Sequence, residues 1–100
     1  MGKRERVAKL CQKFAERLPE DLEELKRFHQ AGDAEGLTRV AHRIKGTAAN
    51  LSAEEIQSAV HRLEEMARGE DLSDAMSLIV ATEQASEHFR AEVGSLAVNL

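Results

Sequence analysis

The sequence has no tryptophan and no tyrosine, and three phenylalanines are its only aromatic residues. Single-stranded nucleic acids are held by stacking bases on aromatic rings along a basic groove, so the stacking half of that equipment is missing. The basic half is missing too, because the net charge is −4 and the pI about 5.6. One proline and six glycines leave little turn chemistry for a sandwich or barrel of many strands. A single cysteine, Cys11, permits neither an internal disulfide nor a paired-cysteine metal or redox site. The longest unbroken apolar run is four residues, 78–81. That is far short of a membrane span and below the roughly seven residues of a signal-peptide core. Together these features predict a cytoplasmic protein with no nucleic-acid partner and no membrane insertion.

What is present is a globular composition, 42% hydrophobic and 32% charged, in a length suited to one domain over 1–100. The apolar residues recur at steps of three and four. Val7, Leu10, Cys11, Phe14 and Leu18 form one helical stripe over 3–18, which makes Cys11 a packing residue. Pro19 ends that segment and suits the first turn of a second helix, whose start carries Glu20, Asp21, Glu23 and Glu24. Leu22, Leu25 and Phe28 are its inner face. Gly32 reads as the residue past its end and Asp33 as the N-cap of a third helix.

The third helix carries Leu37, Val40, Ala41, Ile44, Ala48 and Leu51 along one line and ends near Asn50. Ser52-Ala53-Glu54-Glu55 has the pattern of a capping box, opening a fourth helix with Ile56, Val60, Leu63 and Ala67 inward and Gly69 as terminator. A fifth helix follows from about Asp71 or Ser73. Leu72, Met76, Ile79, Phe89, Val93 and Leu96 mark its core side, interrupted by Thr82, Glu83 and Ser86. No segment of useful length alternates with period two. Short loops between amphipathic helices predict an all-α fold: an antiparallel up-down four-helix bundle over 19–98 with an additional N-terminal helix over 1–18.

The informative face is the one the third helix turns away from its stripe. His42 lies about 140° from the stripe, Gly46 about 180° and Lys45 about 80°, so the three share one exposed patch. A glycine inside a helix costs about 1 kcal/mol relative to alanine, and here it leaves room for an approaching body. Neutral imidazole is a nucleophile able to accept a phosphoryl group. That group wants cations nearby, which Lys45 can supply, with Arg39 and Arg43 as weaker candidates. A nucleophilic ring also needs its tautomer fixed by an acceptor on the other nitrogen. Glu64, on the fourth helix, can lean across to it, although an ion pair with Arg62 or Arg68 competes for that carboxylate. The plain alternatives are an ordinary surface histidine, a solvated lysine and a tolerated glycine.

Ala41-His42-Arg43-Ile44-Lys45-Gly46-Thr47-Ala48 resembles the A-H-x-hydrophobic-K-G-[ST]-A motif of histidine-containing phosphotransfer domains. Ala31-Gly32-Asp33 resembles the exit of that family's first bundle helix, and Leu63-Glu64 its "L-E" on the helix after the histidine. One departure is Ser52, where the family usually has glycine; as an N-cap it is expected to preserve the turn. The resemblance implies that His42, through Nε2, takes a phosphoryl group reversibly from the aspartyl phosphate of a response-regulator receiver domain and passes it to another. Lys45 then stabilises phosphate charge, Gly46 admits the receiver and Glu64 orients the ring through Nδ1. It also implies a monomeric phosphoryl carrier rather than an enzyme, without nucleotide or metal of its own, the Mg²⁺ coming with the receiver. A histidine kinase is a further possible partner.

Two other readings stay open. One is a face that docks a partner without being phosphorylated, and the other is the phosphoacceptor domain of a chemotaxis-type kinase. His29, His61 and His88 have no comparable company and read as surface or boundary histidines. No histidine has a glutamate three residues before it, which argues against a carboxylate-bridged metal site in the bundle. Catalytic triads and phosphate-cradling glycine loops are absent from the sequence.

Overall fold

The computed structural model describes residues 2–99, and the side chains of all of these except 3, 4 and 96–99. Four helices account for nearly all of it: α1 (Gly2–Gln30), α2 (Ala34–Asn50), α3 (Glu54–Arg68) and α4 (Ala75–Asn99). No strand occurs among the described residues. Each helix packs on its two neighbours in the ring α1-α2-α3-α4. The result is a four-helix bundle with extents of 45 × 18 × 17 Å.

The core is one continuous apolar seam. Leu18, Leu25, Leu37, Ile44, Ile56, Leu63 and Ile79 are fully buried within it. A smaller cluster of Cys11, Ala15 and Val93 continues the seam at one end, with Leu51 and Phe89 packed against it. Phe14 and Phe89 meet there edge to face at 5.4 Å. Burial pushes the Cys11 thiol up, as expected of a cysteine that packs rather than reacts.

The sequence and the structure part company first at Pro19. The separate N-terminal helix does not exist, because α1 runs unbroken through the proline. Proline in a helix interior costs about 3 kcal/mol. Burying a leucine contributes roughly 1.5–3 kcal/mol, and Leu18, Leu22 and Leu25 continue the stripe of Phe14 across Pro19 without a change of phase. Several such burials outweigh one lost hydrogen bond. At the start of the same helix Val7 and Leu10 are about half exposed, so the expected stripe begins at Cys11 instead.

The helix ends hold a second difference. Ser52 is not an N-cap and no capping box forms, since Ala53 takes the N-cap position of α3 with no side-chain cap. Ser52 instead adopts the left-handed conformation, with φ of 56°. Ser52 N–H donates to Ala49 O at 3.2 Å and Ala53 N–H to Ala48 O at 2.8 Å, the pattern of a Schellman motif closing α2. The end of α3 repeats this one residue later than expected. Gly69 keeps a helical φ and Glu70 turns left-handed at 59°. Among the described residues, α1 alone closes on a glycine in that role, Gly32 at φ 67°. Asp33 does cap α2, accepting from Gly36 N–H at 2.9 Å.

Helix α4 starts at Ala75, later than expected, because Asp71 Oδ1 accepts from both the N–H and the hydroxyl of Ser73 in the preceding turn. Met76, expected inside, is exposed. Thr82 and Ser86, expected to interrupt the core side, belong to it. Each hydroxyl returns a hydrogen bond to the carbonyl one turn back, Leu78 O at 2.7 Å and Thr82 O at 2.8 Å, so neither is buried unsatisfied. The Leu96 side chain lies outside the described residues, as do Met1 and Leu100.

Candidate functional site

Helix α2 buries Leu37, Val40, Ala41, Ile44 and Ala48 against the bundle. That fixes its rotation and leaves His42 outward, its side chain 67% exposed. From the adjoining helix α3 the Glu64 carboxylate reaches under it. His42 Nδ1 and Glu64 Oε2 are 2.8 Å apart. A carboxylate only accepts, so Nδ1 carries the hydrogen, and in the neutral ring Nε2, on the far side, keeps its lone pair.

Glu64 is the residue whose surroundings were least legible beforehand. The sequence places it only on the fourth helix, able to lean across, whereas the structure buries it fully, 1% exposed. A buried carboxylate must be paired, and this one is paired three times. Oε2 also accepts from Arg68 Nη2 at 2.6 Å. Lys45 Nζ stands 2.6 Å from Oε1 without hydrogen-bond geometry, so that contact is chiefly one of charge. Burial pushes the Glu64 carboxyl up. The Lys45 and His42 contacts, with the charges of Lys45 and Arg68, outweigh burial and hold it below its ordinary value of 4.5. The sequence offered Arg68 as a rival to His42 for this carboxylate, and the structure gives Oε2 to both.

Gly46 is exposed one turn beyond His42, and a Cβ built there meets nothing within 4 Å. No packing demand inside the protein explains a glycine at this position. The two weaker cationic candidates are committed elsewhere. Arg43 binds the buried Asp21 at 2.7 Å and Glu24 at 3.0 Å, tying α2 to α1. The Arg39 guanidinium lies over the Phe28 ring, 5.8 Å from its centre. A shallow groove beside His42 is lined by Glu35, Thr38, Arg39, Ala67, Arg68 and Glu70.

The other histidines have different company. His61 pairs with Glu65 at 3.0 Å and His88 with Glu55 at 2.9 Å, both exposed. His29 is half-buried, and its Nδ1 has no partner. Among the described residues no three His, Cys, Asp or Glu side chains are grouped to hold a metal ion. Among them, too, no helix is long and apolar enough to cross a membrane.

The site is thus an exposed imidazole with one nitrogen anchored and the other free, on a face that positive charge and an open glycine share. Comparison with known proteins points the same way. The crystal structure of histidine-containing phosphotransfer protein B (HptB) from Pseudomonas aeruginosa PAO1 is similar to this chain with a TM-score of 0.92 and 28% sequence identity. The match covers 98% of this chain and 85% of that one. A search of curated proteins found no significant match. The sequence model of the Hpt domain matches residues 9–96, nearly the whole bundle, and on that extent the chain belongs to the Hpt domain family.

Proposed function

We propose that this chain is a phosphoryl carrier of a histidine–aspartate phosphorelay, with His42 as the acceptor. The observation that carries the reading is the exposed His42 ring, held at Nδ1 by a buried carboxylate and turned outward at Nε2. A receiver domain presents its aspartyl phosphate at the open face beside Gly46. The Nε2 lone pair forms the N–P bond, and the P–O bond to the aspartate breaks with its electrons going to the carboxylate. Glu64 keeps Nδ1–H in place, so the ring attacks from one orientation and in one tautomer. Lys45 adds positive charge next to the transferred group. Because the acid anhydride and the phosphoramidate are both reactive, the step runs in either direction and the group can pass to a second receiver.

On this reading the four helices act as one monomeric domain in the cytoplasm. The chain binds no nucleotide, catalyses no turnover of its own, and relies on Mg²⁺ held by the receiver. Receiver domains are its partners, with a histidine kinase as a possible further one. The test is incubation with a panel of receiver domains carrying ³²P-labelled aspartyl phosphate. Acid-labile, alkali-stable label should appear on the wild type and not on His42→Gln, whose helical content should be unchanged. Surface substitutions of this kind usually alter stability by less than about 0.5 kcal/mol. Label on another histidine in His42→Gln, or binding of receivers with no label on the wild type, would overturn the assignment. The second outcome would leave a docking module.

A further inference from the structure

Arg68 is the group the site contains beyond the four residues just assigned. Its guanidinium shares a single oxygen, Glu64 Oε2, with the His42 ring. It therefore lies within about two hydrogen-bond lengths of the imidazole. Unlike Lys45, which is half-buried and turned inward to Oε1, Arg68 is 65% exposed and lines the groove that opens beside His42. A planar guanidinium carries five N–H donors, and with one spent on Oε2 four remain on a side chain that lines the groove.

We propose, resting on the phosphocarrier reading above, that Arg68 is an exchange ligand: it sits on Glu64 while His42 is free and transfers to the phosphoryl group once Nε2 carries it. A carboxylate offers one negative charge, already shared with His42 and Lys45. A phosphoryl group offers up to two, on three oxygens, beside the groove that Arg68 lines. When the N–P bond forms and the receiver's aspartate leaves, the new dianion is the stronger acceptor for the fork-shaped guanidinium. Oε2 is then left to Nδ1–H alone, which tightens the hold on the phosphorylated ring. Arg68 thus favours the charged product without adding to the attack itself. Arg39 lines the same groove but is stacked on Phe28, so its contribution is secondary. Glu35 and Glu70, which also line the groove, oppose the phosphoryl charge, and this makes the arginine more consequential.

The experiment compares wild type with Arg68→Gln and Arg68→Ala after chemical phosphorylation by phosphoramidate, which needs no receiver. Glutamine can still donate to Glu64 but carries no charge. ³¹P NMR follows the second ionisation of the phosphohistidine as pH is varied. Loss of the cation should move that ionisation upward in both variants. In a second arm, the equilibrium of transfer with a phosphorylated receiver should shift back toward the receiver by about five- to tenfold in both variants. An arginine that serves only as a hydrogen-bond donor to Glu64 would leave the ³¹P titration unchanged and would be rescued by glutamine, and either result overturns the proposal. Failure of any receiver to label wild-type His42 would instead overturn the phosphocarrier reading, while the ³¹P comparison would still report on Arg68.

Discussion

The ring of Phe28, near the end of α1, occupies the space that a side chain at Gly36 would need. A Cβ built on Gly36 meets the ring itself, with Cγ and Cε1 both 2.7 Å away. Gly36 is also the residue whose N–H fills the Asp33 cap, so the contact sets how closely the start of α2 lies against α1. Overpacking of this kind typically costs 1–3 kcal/mol, against about 1 kcal/mol gained when glycine is replaced by alanine in a helix. Gly36→Ala should therefore destabilise the bundle by about 1 kcal/mol. In a Phe28→Ala background the same change should stabilise it. Urea unfolding of the two single variants and the double variant measures this reversal, and additive effects would refute the contact as its cause.

Gly46 should behave in the opposite way. With open space around it, Gly46→Gln should keep or raise stability by up to about 1 kcal/mol, because a good helix former replaces a poor one. The long side chain would nevertheless stand where a receiver must approach. Thermal melts should be level or higher while the transfer rate falls. Transfer at the wild-type rate would mean the glycine is not there for access.

The buried Glu64 carboxylate should make stability depend on pH in a defined window. Its folded-state pKa lies below the ordinary 4.5, whereas the unfolded chain, without Lys45, Arg68 and His42 in contact, binds a proton near that ordinary value. The contribution is therefore present in full above about pH 4.5 and is lost as pH falls through the lower folded value. Glu64→Gln cannot ionise, so its unfolding midpoint should fall less steeply than the wild type's on the acid side. Urea midpoints from about pH 3 to about pH 7 test this, and parallel curves would show that the linkage lies in other carboxylates.

Two helix ends carry left-handed residues with side chains, Ser52 and Glu70. Holding an L-residue there costs roughly 1–2 kcal/mol that glycine escapes. Ser52→Gly and Glu70→Gly should each raise stability by up to about 1 kcal/mol, which for a domain of this size means about 4–8 °C in Tm. The gains should add, since the residues close different helices. An unchanged melting temperature in both variants would show that local hydrogen bonds already compensate the left-handed conformation.

These cases also show where the sequence was readable. The face of α2 was legible because its stripe is strictly periodic, so the rotation that exposes His42 and buries Ile44 follows from spacing alone. The pairing of His42 with a residue 22 positions away was reachable through the family motif, and the two atoms meet. The depth of Glu64 was not reachable. A glutamate outside the apolar stripe of its helix looks like surface until its three partners are seen converging from two helices. Pro19 misled for a related reason: a local rule about one residue was weighed without the leucines on either side of it. Ser52 misled because serine suits an N-cap and tolerates a left-handed turn poorly, yet the chain needed the turn more than the cap. Gly36 drew no notice because nothing local marks a glycine whose importance comes from a ring on another helix.

The unequal helices have a consequence for how the molecule diffuses. Helices α1 and α4, at 29 and 25 residues, run past α2 and α3, at 17 and 15, and draw the bundle out to 45 Å against a width of 18 Å. A body of that axial ratio feels more friction than a sphere of its mass and tumbles faster about its long axis than end over end. A single 11.1 kDa chain will therefore leave a sizing column early, as a heavier sphere would. Sedimentation equilibrium, which is blind to shape, is the measurement that assigns its mass in solution.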